Sequence, residues 1–323
     1  MGHVLTALRS QYGEKETGTG AAWGTRPTTP VLVHFPTMDY GIKLVREVQE
    51  HRTFAGRAQS HHIQNPYSVV QGSLKMPLYG AFLSAPAVSI MQYFLDLATD
   101  SQETLDPRPS IRIFDIHRDG AGATVAGHED TGLRVNKMTL EGSEAGIVLT
   151  LDMIGKTQIA LAASAVAPPD DRNGLLECLF SDSTLSIGGT PVSVSKWKWE
   201  LDWGLEALKQ NSNRPTKVSA QHNLQTLSWT PLKEAGTYDA YLRLQDQTEL
   251  EAILVVKGNH SQTSGTAPAD NYTVGTFTFP RASLKTADDQ LSIDTFGTQD
   301  IMMKCLKPDT SANTVTPVWS VAA

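Results

Sequence analysis

The segment Ser195–Trp203 constrains the fold more than any other, because its polar and apolar residues alternate strictly. Successive side chains of a strand point to opposite faces, whereas a helix would spread the same residues around its circumference. The period of two therefore predicts a β-strand with one apolar and one charged face. The charged positions are Lys196, Lys198, Glu200 and Asp202, and the apolar positions are Trp197, Trp199, Leu201 and Trp203. We interpret the tryptophans as core or subunit interface, rather than as a surface that stacks on sugars or bases.

Much of the remaining chain also reads as strand. Several segments are rich in β-branched and aromatic residues and are bounded by Gly, Pro or Asn. They are Val69–Leu78, Ile147–Ile154, Val218–Trp229, Glu251–Val256 and Tyr272–Phe279. One helix is predicted over Ala87–Thr99, where apolar residues recur at helical spacing. The sequence thus predicts a mostly β protein with one flanking helix.

A turn-rich stretch near the middle of the chain divides it into two halves. Residues 1–37 read as an N-terminal arm rich in Gly, Thr and Pro, and residues 166–174 read as a linker. These boundaries predict a first β domain over 38–165 and a second over 175–323. In each half an alternating strand enters a polar loop, and a later strand closes on Asp-x-x-Gly at 152–155 or 294–297. This order favours an internal duplication, with two unrelated β domains or one large domain as alternatives.

The composition limits the classes of function. The net charge is −7, which argues against tight binding to nucleic acid, and no apolar run reaches the roughly 18 residues of a membrane span. The N-terminus lacks a signal-peptide pattern, so we expect intracellular synthesis. Two cysteines make no disulfide framework, and no motif for a nucleophile, a metal or a cofactor is apparent. We therefore predict a protein that is not an enzyme and carries no cofactor or metal.

Two long polar loops are the remaining candidates for a functional surface. Loops of about 15 residues are uncommon in compact domains and are usually functional. The first, His51–Asn65, contains Arg52, Phe54, Arg57 and His61, and the second, Gly204–Thr216, contains Lys209 and Arg214. We interpret them as contacts with a neighbouring subunit, and a solvated hairpin tip is the alternative.

Taken in order, these features resemble the tail tube proteins of long-tailed bacteriophages. The features that match are the Gly/Thr-rich arm and the segments Val45–Arg57, Tyr67–Pro77, Ala87–Thr99, Leu151–Lys156 and Asp182–Gly189. The resemblance implies two tandem β-sandwich or barrel domains of tail-tube type, with a flanking helix in the first. It also implies a virion protein, assembled in the host cytoplasm and without a membrane, whose rings stack into a tube for DNA ejection. A tape measure protein and transiting DNA would occupy the lumen.

The resemblance further implies roles for particular residues and a number of chains per ring. The loop after the first strand and the N-terminal arm would bind the adjacent ring, and Lys196, Lys198, Glu200 and Asp202 are candidates for the lumen wall. Two domains in one chain favour a trimeric, pseudo-hexameric ring. A hexamer in which the second domain is an outer decoration is the alternative. Outside this family, the chain could be a β-rich phage decoration or glycan-binding adhesion module, or a hydrolase with dispersed carboxylates.

Overall fold

The computed structural model confirms a mostly β chain. It describes residues 8–16, 23–26, 33–34, 37–52, 60–80, 110–118, 124–161, 177–208, 212, 214–220, 224–231, 249–258, 272–290, 298–306 and 316–322. Within these residues the one helical element described over its full length is a 3-10 turn, Phe180–Asp182. The helix predicted over 87–99 and the linker predicted over 166–174 lie outside the described residues.

The strands follow one another along the whole described chain. In order they are β1 Leu8–Lys15, β2 Val33–His34, β3 Asp39–Tyr40, β4 Lys43–Arg52, β5 Ser60–Pro77, β6 Ile111–Arg118, β7 Thr124–Ser143, β8 Gly146–Gly155, β9 Thr157–Ala160, β10 Thr184–Ile187, β11 Thr190–Val192, β12 Val194–Asp202, β13 Leu205–Leu208, β14 Lys217–Ala220, β15 Leu224–Pro231, β16 Glu249–Lys257, β17 Tyr272–Gln290, β18 Thr298–Cys305 and β19 Thr316–Ala322. The pairings between the described strands are antiparallel, as expected for strands joined by hairpins and short connections.

The two halves of the chain repeat one pattern of strand pairing. In the first half β4, β5, β8 and β7 lie side by side, and the long β7 continues into a second sheet with β6, β9, β1 and β2. In the second half β12, β15, β18 and β17 do the same, and β17 continues beside β16 and β19, with β10 and β11 beyond β16. We call the two four-stranded arrangements the inner units.

Register and irregularities repeat along with the topology. A bulge separates Val135 from Lys137 in β7, and another separates Leu284 from Thr286 in β17. A second pair of bulges lies at Ile111/Ile113 and Leu250/Ala252. Because a bulge fixes the local register, these features make β7 of the first half equivalent to β17 of the second half, and β8 equivalent to β18. Residues 294–297, which the sequence reading matched with 152–155, lie outside the described residues.

The core lies where the alternation of β12 predicts it. Trp197, Trp199 and Leu201 are buried, and the Trp199 ring lies 4.9 Å from the ring of Phe277 and 5.4 Å from that of Phe279. Tilted and edge-on arrangements of this kind are favourable for aromatic pairs. A single buried cluster runs from Trp23 in the first half to Cys305 in the second. The tryptophan face thus belongs to the core and is not a surface for glycans.

The described part of the N-terminal arm packs on its own domain. β1 pairs along its full length with β6, and the Glu16 carboxylate accepts hydrogen bonds from Ser110 Oγ at 2.6 Å and from the Gly132 amide at 3.0 Å. Burial raises the pKa of Glu16 in spite of these bonds and of the nearby Arg112. Residues 8–16 are thus an integral strand rather than a free extension, because an already formed β6 offers their backbone a hydrogen-bonding partner.

Parts of both predicted loops belong to paired strands. β4 and β5 remain paired as far as Arg52 opposite Ser60, so a ladder occupies most of the first predicted loop. In the second, β13 and β14 form a separate two-stranded sheet, with Leu205 opposite Ala220. The strands therefore extend further into the two predicted loops than the sequence indicated. Backbone pairing does not depend on apolar side chains, which were the signal available in the sequence.

Candidate assembly surfaces

The two inner units are joined edge to edge within the chain. β7, the last strand of the first unit, pairs with β12, the first strand of the second, from Lys137 opposite Asp202 to Ser143 opposite Lys196. Gly142 lies opposite Trp197 and leaves room for the indole, whose Nε1 donates to Ser183 Oγ at 2.9 Å. We call this β7–β12 pairing the internal joint.

Each end of this arrangement leaves one strand edge open among the described residues. β4 pairs with β5 on one side, and no described strand pairs with its other side. Residues Thr286–Gln290 of β17 pair with β18 on one side. No described strand pairs with the other side of this segment, because β16 begins at Glu249, opposite Ser283. Open edges of this length carry unpaired N–H and C=O groups that readily accept another chain.

The charged face of β12 forms a network of ion pairs with its neighbour. Lys198 Nζ lies 2.8 Å from Glu200 Oε1, and Lys137 Nζ from β7 lies 3.3 Å from the same oxygen. Burial alone would raise the pKa of Glu200, but the two lysines outweigh it, and the pKa lies below its ordinary value. Lys196 is exposed and Asp202 is half-buried. All four predicted lumen residues therefore lie on one face, and Lys198 and Glu200 among them form an ion pair.

Neighbouring strands add charged residues to this face that the sequence reading missed. Glu141 lies opposite Lys198 in β7, and Asp152 of β8 lies opposite Lys137. Burial raises the pKa of Asp152, while Lys137 lowers it and Asp202 raises it further. The alternation of Lys137, Thr139 and Glu141 with Met138 and Leu140 is the signal that could have revealed the β7 residues. We call the combined surface the charged sheet face.

Three of the six predicted ring-stacking residues lie in the described parts of the two hairpin segments. Arg52 ends β4, and His61 lies near the start of β5. Arg214 is exposed in the bend before β14. Phe54, Arg57 and Lys209 lie outside the described residues.

The β13–β14 hairpin is anchored to the first half of the chain. Asn136, the extra residue of the β7 bulge, accepts a hydrogen bond from the Leu205 amide at 2.5 Å, and its carbonyl accepts one from the Trp203 amide at 2.9 Å. The buried Arg134 donates to the Val218 carbonyl at 3.4 Å. The bulge thus fixes the root of the hairpin at the internal joint.

The described residues contain no group of three or more His, Cys, Asp or Glu side chains placed to hold a metal ion. Burial raises the pKa of both the Cys178 and the Cys305 thiols to about 12, so they carry little thiolate at neutral pH. Among the same residues, no helix is long and apolar enough to cross a membrane.

Comparison with known proteins gives one family. A family model described as phage tail tube protein matches residues 12–270, which is well over half of the chain. The match covers the first inner unit, the internal joint and the strands β12 and β15 of the second inner unit, and it ends before β17 and β18. No curated protein matches the sequence.

Proposed function

Because the chain belongs to the phage tail tube protein family, we propose that three copies close into a ring around a lumen through which DNA passes. The family makes it a structural component of the virion tail that polymerises into a tube. The number of chains, the seam between them and the surface that lines the lumen are our proposal. It rests on one observation, namely that the chain contains two equivalent inner units already joined by one seam.

The internal joint serves as a template for the seam between chains. In each inner unit, residues that face one another on neighbouring strands form a row across the sheet. One such row in the first unit is Tyr40, Leu74, Leu151 and Met138. The equivalent row in the second unit is Trp197, Trp229, Ile301 and Ala287. Met138 pairs with Leu201 in the internal joint, so Ala287 of one chain would pair with Leu44 of the next. A head-to-tail contact of this type forms a closed ring when its rotation closes. Six inner units from three chains would then surround the lumen.

Charge complementarity supports this register. The internal joint places Lys137 opposite Asp202 and Glu141 opposite Lys198. The same register between chains would place Lys43 of β4 opposite Asp288 of β17. Opposite charges at directly facing positions favour a strand pair by a few tenths of a kcal/mol to about 1 kcal/mol.

We assign the lumen wall to the charged sheet face, because the opposite face of the inner units is covered by the core. Lys137 and Lys198 are both held by Glu200, and the face also carries Glu141, Asp152 and Asp202, so its cations are balanced by carboxylates and would hold phosphate groups weakly. Such a wall would let DNA and a tape measure protein pass without retaining them.

The lumen assignment predicts selective protection of a cysteine on the charged sheet face. In assembled tubes, a Lys196→Cys variant should react with a small maleimide but not with a bulky polyethylene-glycol maleimide, which cannot enter the lumen. Glu251→Cys on β16, which lies outside the inner units, is the matched control, since Glu251 is exposed and should react with both reagents. Equal reaction of both variants with the bulky reagent would place Lys196 on the outside.

The hairpins supply the proposed contacts between rings. Replacing Arg52 and Arg57 with glutamate should leave single rings intact and reduce the number of stacked rings severalfold, because each ring would lose its cations at every hairpin. Electron microscopy of negatively stained particles measures the tube length. Glu251→Arg, a charge reversal on β16, is the control. Tubes of normal length in the variant that replaces both Arg52 and Arg57 would exclude the first hairpin from stacking.

Microscopy of the purified wild-type protein tests the proposal as a whole. Hollow tubes built of three-chain rings are expected at high protein concentration. Dispersed particles at every salt and protein concentration would overturn the proposal.

A further inference from the structure

The first half of the chain buries titratable residues at positions where the second half buries apolar ones. Between β6 and β7, Asp115 lies opposite His128 and Ile113 lies opposite Asp130. At the equivalent positions between β16 and β17, Leu254 lies opposite Phe277 and Ala252 lies opposite Phe279. Each set directly follows an equivalent bulge. Three further equivalences are His117 with Val256, Tyr40 with Trp197 and Met138 with Ala287.

The polar residues form a continuous chain of contacts, which we call the His–Asp cluster. His117 Nε2 lies 3.6 Å from Asp115 Oδ2, and His128 bridges the two carboxylates, with Nδ1 3.9 Å from Asp115 Oδ2 and Nε2 3.2 Å from Asp130 Oδ2. Tyr40 Oη donates a hydrogen bond to Asp130 Oδ2, and Gln158 donates one to Asp130 Oδ1 at 2.9 Å. Both aspartates are fully buried, while 43% of the His117 side chain is exposed. Protons can therefore reach the cluster from solvent.

The fold itself does not require these residues. Buried carboxylates are unfavourable unless they are paired, and the second half closes the same two layers with leucine and phenylalanine. The cluster also lies at a particular place, since Tyr40 belongs to β3, which precedes the open edge of β4. Tyr40 connects that edge to the second sheet, and its ring lies 5.8 Å from the ring of His128.

We propose that the His–Asp cluster is a protonation-dependent latch, which holds the β3–β4 edge in place for pairing with the next chain. This inference rests on the proposed ring. With His128 protonated, one cation lies between two carboxylates, and Tyr40 is held against Asp130. When His128 loses its proton, the carboxylates lose their shared counter-charge and the edge is released. Assembly should therefore be favoured below the pH range in which histidine titrates and should weaken as the pH rises through it. The internal joint, with Trp197 in place of Tyr40, should not respond.

The described groups that face His128 are few. Asp115 and His117 come from β6, Asp130 from β7 and Tyr40 from β3, while β9 contributes the neutral Gln158. The register of β1 places Gln11 opposite Asp115 and Arg9 opposite His117. Of these groups, the two imidazoles are the ones that ordinarily change charge between pH 5 and 8, and His128 is the one that contacts both carboxylates.

Hydrogen exchange and assembly together test the latch on the full chain. In the wild-type monomer, exchange protection of the amides of residues 38–45, corrected for intrinsic rates, should fall by about tenfold between about pH 6 and about pH 8. The rate of tube formation should fall over the same range. In His128→Gln, which is neutral at every pH, both quantities should become insensitive to pH. His260→Gln, which removes a histidine that belongs to neither the His–Asp cluster nor a proposed contact between rings, should behave like wild type.

The outcomes separate the latch from the ring. If His128→Gln retains the wild-type pH dependence, the latch is wrong. If wild type forms no rings at any pH, but protection still depends on pH through His128, the latch stands and the proposed ring fails. Should His128→Gln not fold, Asp130→Asn removes one carboxylate while retaining an acceptor for Tyr40, and unchanged pH dependence in that variant would equally overturn the latch.

Discussion

Mild oxidation of assembled protein carrying Val45→Cys and Thr286→Cys should yield covalent dimers and trimers and no larger species. The internal joint places Asp202 opposite Lys137, and the equivalent residues at the proposed seam are Val45 and Thr286. Directly opposite residues of antiparallel strands lie about 4.5–5.5 Å apart, which is within the span of a disulfide. A non-reducing gel counts the chains, because cross-linking around a closed ring stops when the ring is complete.

A pair two residues out of register provides the matched control. Val45→Cys with Asp288→Cys keeps one partner and moves the other along β17 to a diagonal position about 7–8 Å away, beyond the range of an unstrained disulfide. The native thiols should not interfere, since burial raises the pKa of Cys178 and Cys305 to about 12. A ladder that continues to six chains would contradict the trimeric ring, and efficient cross-linking of the control alone would contradict the register.

The strand β12 could be predicted from sequence because its signal is local. Each of its charged residues is separated from the next by one apolar residue, and the structure buries that apolar set. The partners of the charged residues could not be predicted in the same way. Lys137 reaches Glu200 only because β7 pairs with β12, and that pairing joins residues more than fifty positions apart in the chain.

Where the strands extend further than predicted, the cause was the use of side-chain polarity to infer backbone structure. The residues around His51 and Ser60 are polar and looked like loop, yet their amides and carbonyls form a ladder. The same holds for β1, whose mixed sequence gives little sign of a strand until β6 is present as a partner. The His–Asp cluster was missed for a related reason. Its residues are distributed over β3, β6 and β7, and they come together only through tertiary packing.

The internal joint should be unusually sensitive to a single added methyl group. Replacing Gly142 with alanine should lower the free energy of unfolding of the monomer by about 3 kcal/mol, as measured by denaturant titration. A Cβ atom at this position would lie 2.4 Å from Trp197 Cε2 and 2.6 Å from both Cζ2 and Nε1. The indole is 1% exposed, and its Nε1 is bonded to Ser183, so the ring cannot move aside without losing contacts.

Two further variants separate this clash from other effects of replacing glycine. Gly146→Ala introduces a methyl group with no atom within 4 Å, so its cost reports backbone strain alone, about 1 kcal/mol at its positive φ of 121°. Trp197→Leu removes the rigid ring, so adding Gly142→Ala in that background should cost at least about 2 kcal/mol less than in wild type. If Gly142→Ala costs no more than Gly146→Ala, then β7 and β12 adjust freely to one another. A joint that adjusts freely could not serve as a template of fixed register for the seam between chains, and the ring geometry derived from it would have to be abandoned.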